Sequence, residues 1–409
     1  MTKDLFHMPA ELLSGDSLIN SLQDLPDYNE GIREADEATR LMQSTDIYKV
    51  YYPSVMSIEI YNKLYLATAL SLKKKNSRLA TIQKNVNYSS IHEQSAYRGI
   101  IGGADSFSII GTSGIGKSSA IQKAIELISP HRYIEFENSK IIPCLQVQCP
   151  FDASPKGMLL SVLKSVDDCI GTDYYKRSQR TSITTDILIG TVGQVCINHI
   201  GLLIIDEIQH VSGQKNGVTL INLITQLINI SGVSICMVGT EESVIFFEKA
   251  QQLARRTLGM RYGQIPYDDY FKKLCEILYS YQYTRKYTEL TDVTIRWLYE
   301  HTGGIISVLV SIIHDANEIA ILSGKEQLSI EVLSEAYDKR ITMLHSYIMT
   351  DRVKHARTRR ALVKTEPLSD YIETAEYKTL PEMVLLAKNQ GVDAVKLISK
   401  YITIEEVEC

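Results

Sequence analysis

The apolar run Ser106–Ile110 opens directly onto Gly111-Thr112-Ser113-Gly114-Ile115-Gly116-Lys117-Ser118-Ser119. Further along, a second apolar run, Leu202–Ile205, ends in Asp206-Glu207. The first pattern is a strand, a Gly-x4-Gly-Lys-Ser loop and a helix start, whose backbone N–H groups wrap anionic phosphates. Lys117 then neutralises the outer phosphate oxygens and Ser118 binds magnesium. The second pattern is a buried strand that delivers two carboxylates to its C-terminal tip, Asp206 for the metal's water and Glu207 for an attacking water. Together they predict one site for a nucleoside triphosphate and Mg2+ at the carboxyl edge of a parallel sheet.

The flanking pattern supports that sheet. Helical spacing is expected over Ser118–Ile128, from about Lys156 to Ile170, over residues 182–198 and over Thr219–Ile230. Strands are expected at Ser106–Ile110, Leu145–Val147, Leu202–Ile205 and Val233–Val238. The last strand ends at Gly239-Thr240, so Thr240 reaches the same edge as Ser118 and Asp206. After Asp268 the strand patterns stop and helices are expected at Tyr270–Ser280, Asp292–His301, Ile305–Leu322 and Ser329–Met343. Gly324 reads as a C-terminal cap and Ser329 as an N-cap. Before the sheet, Ser57–Leu72 has helical spacing.

The fold expected is therefore α/β, a parallel sheet with flanking helices followed by a small helical lid. Its divisions are residues 1–95, an N-terminal helical extension for partner or DNA contact; 96–267, the P-loop ATPase domain; 268–345, the lid; and 346–409, a basic stretch and partner-binding tail.

With 409 residues, 44% of them hydrophobic, the chain can bury substantial cores. A net charge of −5 means that nucleic-acid binding has to come from local basic patches. No basic-then-apolar leader opens the sequence and no uncharged stretch has membrane-spanning length. The seven cysteines contain no Cys-x-x-Cys pair and sit mostly among apolar residues. These features read as a cytoplasmic protein without zinc, disulfides or a membrane partner.

Several polar groups admit two readings. Arg255 and Arg256 are either a solvated helix end or a source of a guanidinium for a neighbouring subunit's γ-phosphate. Lys73–Lys75 and the run Arg352–Lys364 are solvated faces or binding patches. Lys156, Tyr174, Tyr175, Lys176, Arg177 and Arg180 mix cations with aromatics on loops after the second strand, a composition suited to following a phosphate backbone. His210, beside the acidic pair, is read as structural, whereas Gln209 is placed to relay the state of the nucleotide.

From about Tyr97 to Ala336 the sequence resembles the AAA+ ATPases and, within them, the TnsC/TniB regulators of heteromeric DNA transposons. The pieces carrying the resemblance are the loop, Gln148-Cys-Pro-Phe-Asp-Ala-Ser-Pro-Lys-Gly157, Asp167-Asp-Cys-Ile-Gly-Thr-Asp-Tyr174, Ile200-Gly-Leu-Leu-Ile-Ile-Asp-Glu-Ile-Gln209, Val238-Gly-Thr240, Ala254-Arg-Arg256 and Thr302-Gly-Gly-Ile305. The resemblance implies that Gly111, Gly116, Lys117 and Ser118 bind ATP and magnesium, that Asp206 and Glu207 serve hydrolysis, and that Thr240 is a first sensor. It also implies that Arg255 or Arg256 crosses a subunit interface, and that the loops of Lys156 and Lys176 face duplex DNA. By the same resemblance the chain is a slow ATPase used as an assembly switch. It forms a homo-oligomer, ring or filament, on duplex DNA with ATP and links a target-selection protein to transposase subunits. The alternative is an initiator-like or signalling ATPase that loads a partner onto DNA without transposition. A small-molecule kinase is disfavoured by the Asp-Glu strand. One departure is Ser307, at the helix where many AAA+ proteins carry a second-sensor arginine.

Overall fold

The computed structural model describes residue 8 and residues 10–75, 106–136, 139–179, 184–212, 214–244 and 259–341. Before the sheet come helices α1 (Gly15–Leu22), α2 (Glu37–Ser44) and α3 (Val55–Lys75). The sheet region follows as β1 (Phe107–Gly111), α4 (Lys117–Ile128), β2 (Ile134–Phe136), β3 (Ser139–Gln148), α5 (Pro155–Ile170), α6 (Tyr174–Ser178), α7 (Thr185–His199), β4 (Ile200–Asp206), α8 (Gly217–Ser231), β5 (Ser234–Gly239) and β6 (Met260–Tyr262). Four helices complete the described chain: α9 (Asp269–Ser280), α10 (Asp292–Thr302), α11 (Ile306–Leu322) and α12 (Ile330–Ala336), the last running into a π-turn at Tyr337–Ile341.

The sheet order is β2-β3-β4-β5-β1-β6, parallel except for the β2–β3 hairpin. Strand β4 is buried along its whole length, which requires helices on both faces. Its side chains alternate between two cores. Leu202 and Ile204 join Ile60, Leu64 and Ile121 beneath α3 and α4, whereas Leu203 and Ile205 join Val162, Val192 and Ile224 beneath α5, α7 and α8. Local chemistry sets the helix ends. Ser154 caps α5 by accepting from the Gly157 amide at 3.1 Å, Pro155 starts the helix, and Gly171 ends it in the left-handed region.

A third core belongs to the lid helices, with Phe271, Leu278, Leu309, Ile312 and Leu333 at its centre. Residues from before the sheet enter it. Ile47 is fully buried there, and Tyr28, Leu41, Val50 and Tyr52 pack around it. Thus α1 and α3 serve the sheet's core while α2 and the turn after it serve the lid's. Polar contacts reinforce the second attachment. Tyr281 donates to the Pro26 carbonyl at 2.8 Å, and Tyr270 donates to the Tyr52 carbonyl at 2.9 Å. Arg40, 2% exposed, makes a two-pronged pair with Glu326 at 2.7 and 2.8 Å and donates to the Tyr283 carbonyl at 3.0 Å.

Sequence reading located the main strands and helices. It did not find the β2–β3 hairpin, the three-residue β6, or α1, α2 and α6. Strand β3 also runs back to Ser139, six residues before the expected Leu145 start, because its early part pairs with β2 rather than lying in the apolar centre. The Arg352–Lys364 run and the rest of residues 346–409 lie outside the described residues.

The Arg40 hydrogen bonds hold the Glu326 carboxyl below the usual carboxylate range. A depressed folded-state pKa contributes stability that is present above the unfolded value, about 4.3 for Glu, and is lost as pH falls through the folded one. Arg40→Ala removes both guanidinium hydrogen bonds to Glu326 and leaves it the Arg285 amide at 3.1 Å and the Arg285 guanidinium at 3.9 Å. It should lower stability at pH 7 by about 1–2 kcal/mol in urea unfolding, with the gap to the unsubstituted protein narrowing below about pH 4. Coincident midpoints at pH 7 would contradict the assignment.

Candidate nucleotide site

Three strand ends converge. Register pairs Ile110 of β1 with Gly239 of β5, Gly111 with Tyr262 of β6, and Gln148 of β3 with Asp206 of β4. The loop from Gly111, the Asp206-Glu207 pair and Thr240 therefore share one edge of the sheet.

Within the loop, Gly114 and Gly116 have φ of 79° and 93°, a region open to glycine at little cost. Gly116 is the N-cap of α4, so the helix begins with its free amides facing the loop's cavity. The Lys117 ammonium donates to the carbonyls of Gly111 and Thr112, each at 2.9 Å. Burial pushes its pKa down, opposed by the negative charges of Asp206, Glu207 and Glu241. An ammonium has three N–H groups, so one remains for an anionic oxygen.

Asp206 is 5% exposed and fully engaged. Its Oδ2 accepts from Ser118 Oγ at 3.0 Å and from Gln146 Nε2 at 3.2 Å, and its Oδ1 accepts from the Glu207 amide at 2.8 Å. Glu207 is itself left-handed, with φ 59°, which turns the chain off the strand into the short turn Ile208–Val211. Gln209 on that turn donates to Glu207 Oε2 and accepts from the Thr240 amide at 3.3 Å. His210 Nδ1 bonds the Cys149 carbonyl at 3.0 Å, a structural contact. The Thr240 hydroxyl is out of solvent and without a hydrogen-bond partner.

These groups line a cleft of about 440 Å³. Ser113–Ser119, Asp206, Glu207 and Thr240 form its polar end. Its other end is made by Tyr48, Val50 and Tyr52 from before the sheet and by Tyr270, Leu274 and Val310 of the lid. Sequence reading missed this second wall. Among the described residues of the cleft, Lys117 is the single cation. Ser307 stands where a second-sensor arginine was looked for, and its role is different: its amide donates to the Gly114 carbonyl at 2.9 Å, docking the first turn of α11 on the loop. Gln146 was also missed; its signal was a glutamine inside the apolar β3 run.

ATP and Mg2+ fit these residues. The orphan Thr240 hydroxyl, the spare Lys117 N–H, the free amides of α4 and the Ser118–Asp206 oxygen pair are the donor and acceptor types that phosphate and magnesium require.

The other expected residues sit apart. Arg255, Arg256 and Arg180 lie outside the described residues. Lys156 is half-buried in the first turn of α5. Tyr174, expected with the DNA-facing set, is turned inward: it packs on the core, and its hydroxyl meets His199 Nε2 at 3.0 Å. Lys176 and Arg177 are exposed on α6, Arg177 paired with Asp173 at 2.9 Å.

With β5 lying between β1 and β4, the glycine-rich loop and the Asp-Glu pair face each other across one strand, the layout of a P-loop AAA+ ATPase. A model of the bacterial TniB protein family matches residues 102–261. No curated protein matches the chain. Among solved structures, the Aeropyrum pernix ORC2 protein (ADPNP-ADP complexes) is similar with a TM-score of 0.40 at 14% identity, over 79% of this chain and 77% of that one. The Aeropyrum pernix ORC1 protein in complex with DNA gives 0.42 at 14% identity, over 80% and 78%. The Thermotoga maritima RuvB Holliday junction branch migration motor gives 0.36 at 12% identity, over 78% and 83%. Likeness at this level carries no functional argument. No described helix is long and apolar enough to cross a membrane.

A Cβ on Gly114 would stand 2.3 Å from Ser307 Oγ and 2.9 Å from Ile305 Cγ2, at a φ that side chains rarely adopt. Gly114→Ala should therefore reshape the loop and undock α11, weakening binding of a fluorescent ATP analogue at least about tenfold. Unchanged affinity would show that this contact does not shape the site.

Proposed function

We propose that the chain is an ATP-dependent regulator of DNA transposition that assembles on duplex DNA with ATP and disassembles on hydrolysis. In this reading it links a target-selection protein to transposase subunits. The observation that supports it is the cleft itself: Lys117, Ser118, Asp206, Glu207 and Thr240 brought to one sheet edge, with one cation among the described lining residues, in a chain whose residues 102–261 match a TniB family model.

Each residue has a physical task. The α4 amides and the Lys117 ammonium bind phosphate oxygens. Ser118 and Asp206 supply oxygen ligands for magnesium, whose charge neutralises the phosphate oxygens when bound. The Gln146 and Glu207 amide contacts fix the Asp206 carboxylate in the orientation that this needs. Glu207 takes the proton from the attacking water, and the Thr240 hydroxyl orients that water or an outer phosphate oxygen. Tyr48, Val50, Tyr52 and Leu274 offer the base an apolar and aromatic wall.

A cleft holding one lysine beside two carboxylates is under-supplied with positive charge for phosphoryl chemistry. Arg255 or Arg256 of a neighbouring subunit would supply the rest, making oligomerisation and catalysis one event. Lys156, Lys176, Arg177 and Arg180 would then track the DNA backbone, with Tyr174 holding their segment in place.

Lys117→Ala should abolish ATP-dependent oligomerisation on duplex DNA, measured by light scattering. Assembly indifferent to nucleotide and to this substitution would end the proposal. Glu207→Gln should keep ATP binding, cut hydrolysis by about 10²-fold or more, and lengthen the life of the assembly on DNA. Equal disassembly rates would remove Glu207 as the base.

A further inference from the structure

The aromatic end of the cleft and its phosphate-loop end are built by different parts of the chain, and Asp24 connects them. Asp24 lies just beyond α1, and its backbone pairs with Tyr51 in both directions. The Asp24 amide donates to the Tyr51 carbonyl at 2.9 Å, and the Tyr51 amide donates to the Asp24 carbonyl at 2.7 Å. Between these two residues the chain runs out into the lid's core, where Ile47 is buried, and returns. Asp24 and Tyr51 are thus the neck of a loop whose returning arm, Tyr48 to Tyr52, supplies the aromatic wall.

The neck is fastened on both sides. Tyr51 donates through its hydroxyl to Ser57 Oγ at 2.8 Å. Tyr52 accepts at its carbonyl from Tyr270 and stacks on that ring, the centroids 5.7 Å apart and the planes 17° from parallel. On the other side, the Asp24 carboxylate accepts from the Lys123 ammonium at 2.7 Å. Lys123 belongs to α4, the helix whose first turn carries Lys117 and Ser118. Apolar packing brings the two elements together beforehand, since Leu18 and Leu22 of α1 share a core with Ile121 and Ala124 of α4. Glu126 stands 3.5 Å from the same ammonium but rides on α4 itself, so it ties that helix to nothing outside it.

We infer that Asp24 and Lys123 are positioning residues that set the distance between the aromatic wall and the phosphate loop, and so favour ligands carrying a base and a polyphosphate at that separation. A ligand that touches one end alone gains nothing from the pair. A nucleoside triphosphate touches both, and it binds at full strength when the two ends are already held at its own length. Neither side chain lines the cleft, so the effect falls on binding and leaves proton transfer at Glu207 untouched. The pair is partly exposed, with 54% of the Asp24 side chain and 27% of the Lys123 side chain open to solvent, and its share is correspondingly modest. The inference rests on the proposed placement of ATP, with its base against the aromatic wall, and adds what fixes the spacing.

The test uses the full chain carrying Asp24→Lys, which sets two ammonium groups against each other. KM for ATP should rise about three- to tenfold with kcat unchanged. Inorganic tripolyphosphate, which fills the phosphate end alone, should displace a fluorescent ATP analogue with an unchanged dissociation constant of its own. The exchanged pair, Asp24→Lys with Lys123→Asp, should return KM to within about twofold of the unsubstituted value. Should the reversal unfold, Asp24→Asn keeps the shape, removes the charge and should raise KM about two- to threefold. A general loosening of the fold would weaken tripolyphosphate as well and would not be repaired by the exchange. An unchanged KM in the folded variant, equal losses for ATP and tripolyphosphate, or no recovery in the exchanged pair overturns the inference. Lys117→Ala run alongside separates the two ideas. If it binds ATP as tightly as the unsubstituted chain, the nucleotide reading fails; if it loses ATP while Asp24→Lys does not distinguish ATP from tripolyphosphate, the positioning role alone fails.

Discussion

The cleft depends on the hydrogen bond from the Ser307 amide to the Gly114 carbonyl. A glycine-rich loop has little internal reason to hold one shape, and a helical lid has little reason to sit over it. Joining them at 2.9 Å fixes both, and the missing Cβ at Gly114 is what makes the approach possible. The lid is held from a second side by chain that precedes the sheet. Arg40 clasps Glu326, and Tyr28 lies edge-on to Tyr281 and Tyr283 at 5.4 and 5.7 Å. A cleft walled by three chain segments, each anchored to the others, is preorganised, and binding then spends little on ordering its walls.

At the opposite wall, Asp206 gathers the site. One carboxylate receives a hydroxyl from α4, an amide from β3 and the backbone of the next residue. It thus reports the position of three elements at once, and displacement of any of them changes the oxygen set offered to a metal. Glu207 has looser support, a single side-chain contact through Gln209. The difference suits the two roles proposed for them: a ligand position has to be fixed, whereas a base has to move between rest and reaction.

The polar edge was legible in the sequence because each of its groups follows an apolar strand, so periodicity alone brings Gly111, Asp206 and Thr240 to one side. Helix α5 was legible from about Lys156 to Ile170, whereas its Ser154 cap and Pro155 start were seen only in the structure. The aromatic wall was not. Tyr48 and Tyr52 are more than two hundred residues from Tyr270 and Leu274 in the chain, and no local pattern announces that they meet. Strand β6 was missed because three residues are too few to show an alternation, and Tyr174 was misplaced because an aromatic beside cations reads the same whether its ring faces out or in. Ser307 could be read only as an absent arginine, since its actual contribution is a backbone amide, which every residue but proline carries.

That contribution bears on how the proposed assembly would work. A lid that supplies a backbone amide in place of a guanidinium brings shape to the site and no charge. The described cleft then sets Lys117 against Asp206 and Glu207, and a bound triphosphate adds further negative charge, partly offset by magnesium. Burial already works against the Lys117 ammonium, so the deficit cannot be met by strengthening that one group. In the proposed assembly a cation from a second subunit would meet it, and a low-dielectric cleft would strengthen that attraction. Linkage would make the effect reciprocal: a subunit held by its neighbour would bind ATP more tightly, and by the same factor an ATP-bound subunit would hold its neighbour more tightly. Hydrolysis and phosphate loss would remove the charge that the proposed arginine answers, so in this reading the contact that completes the site would be weakened by the reaction it promotes.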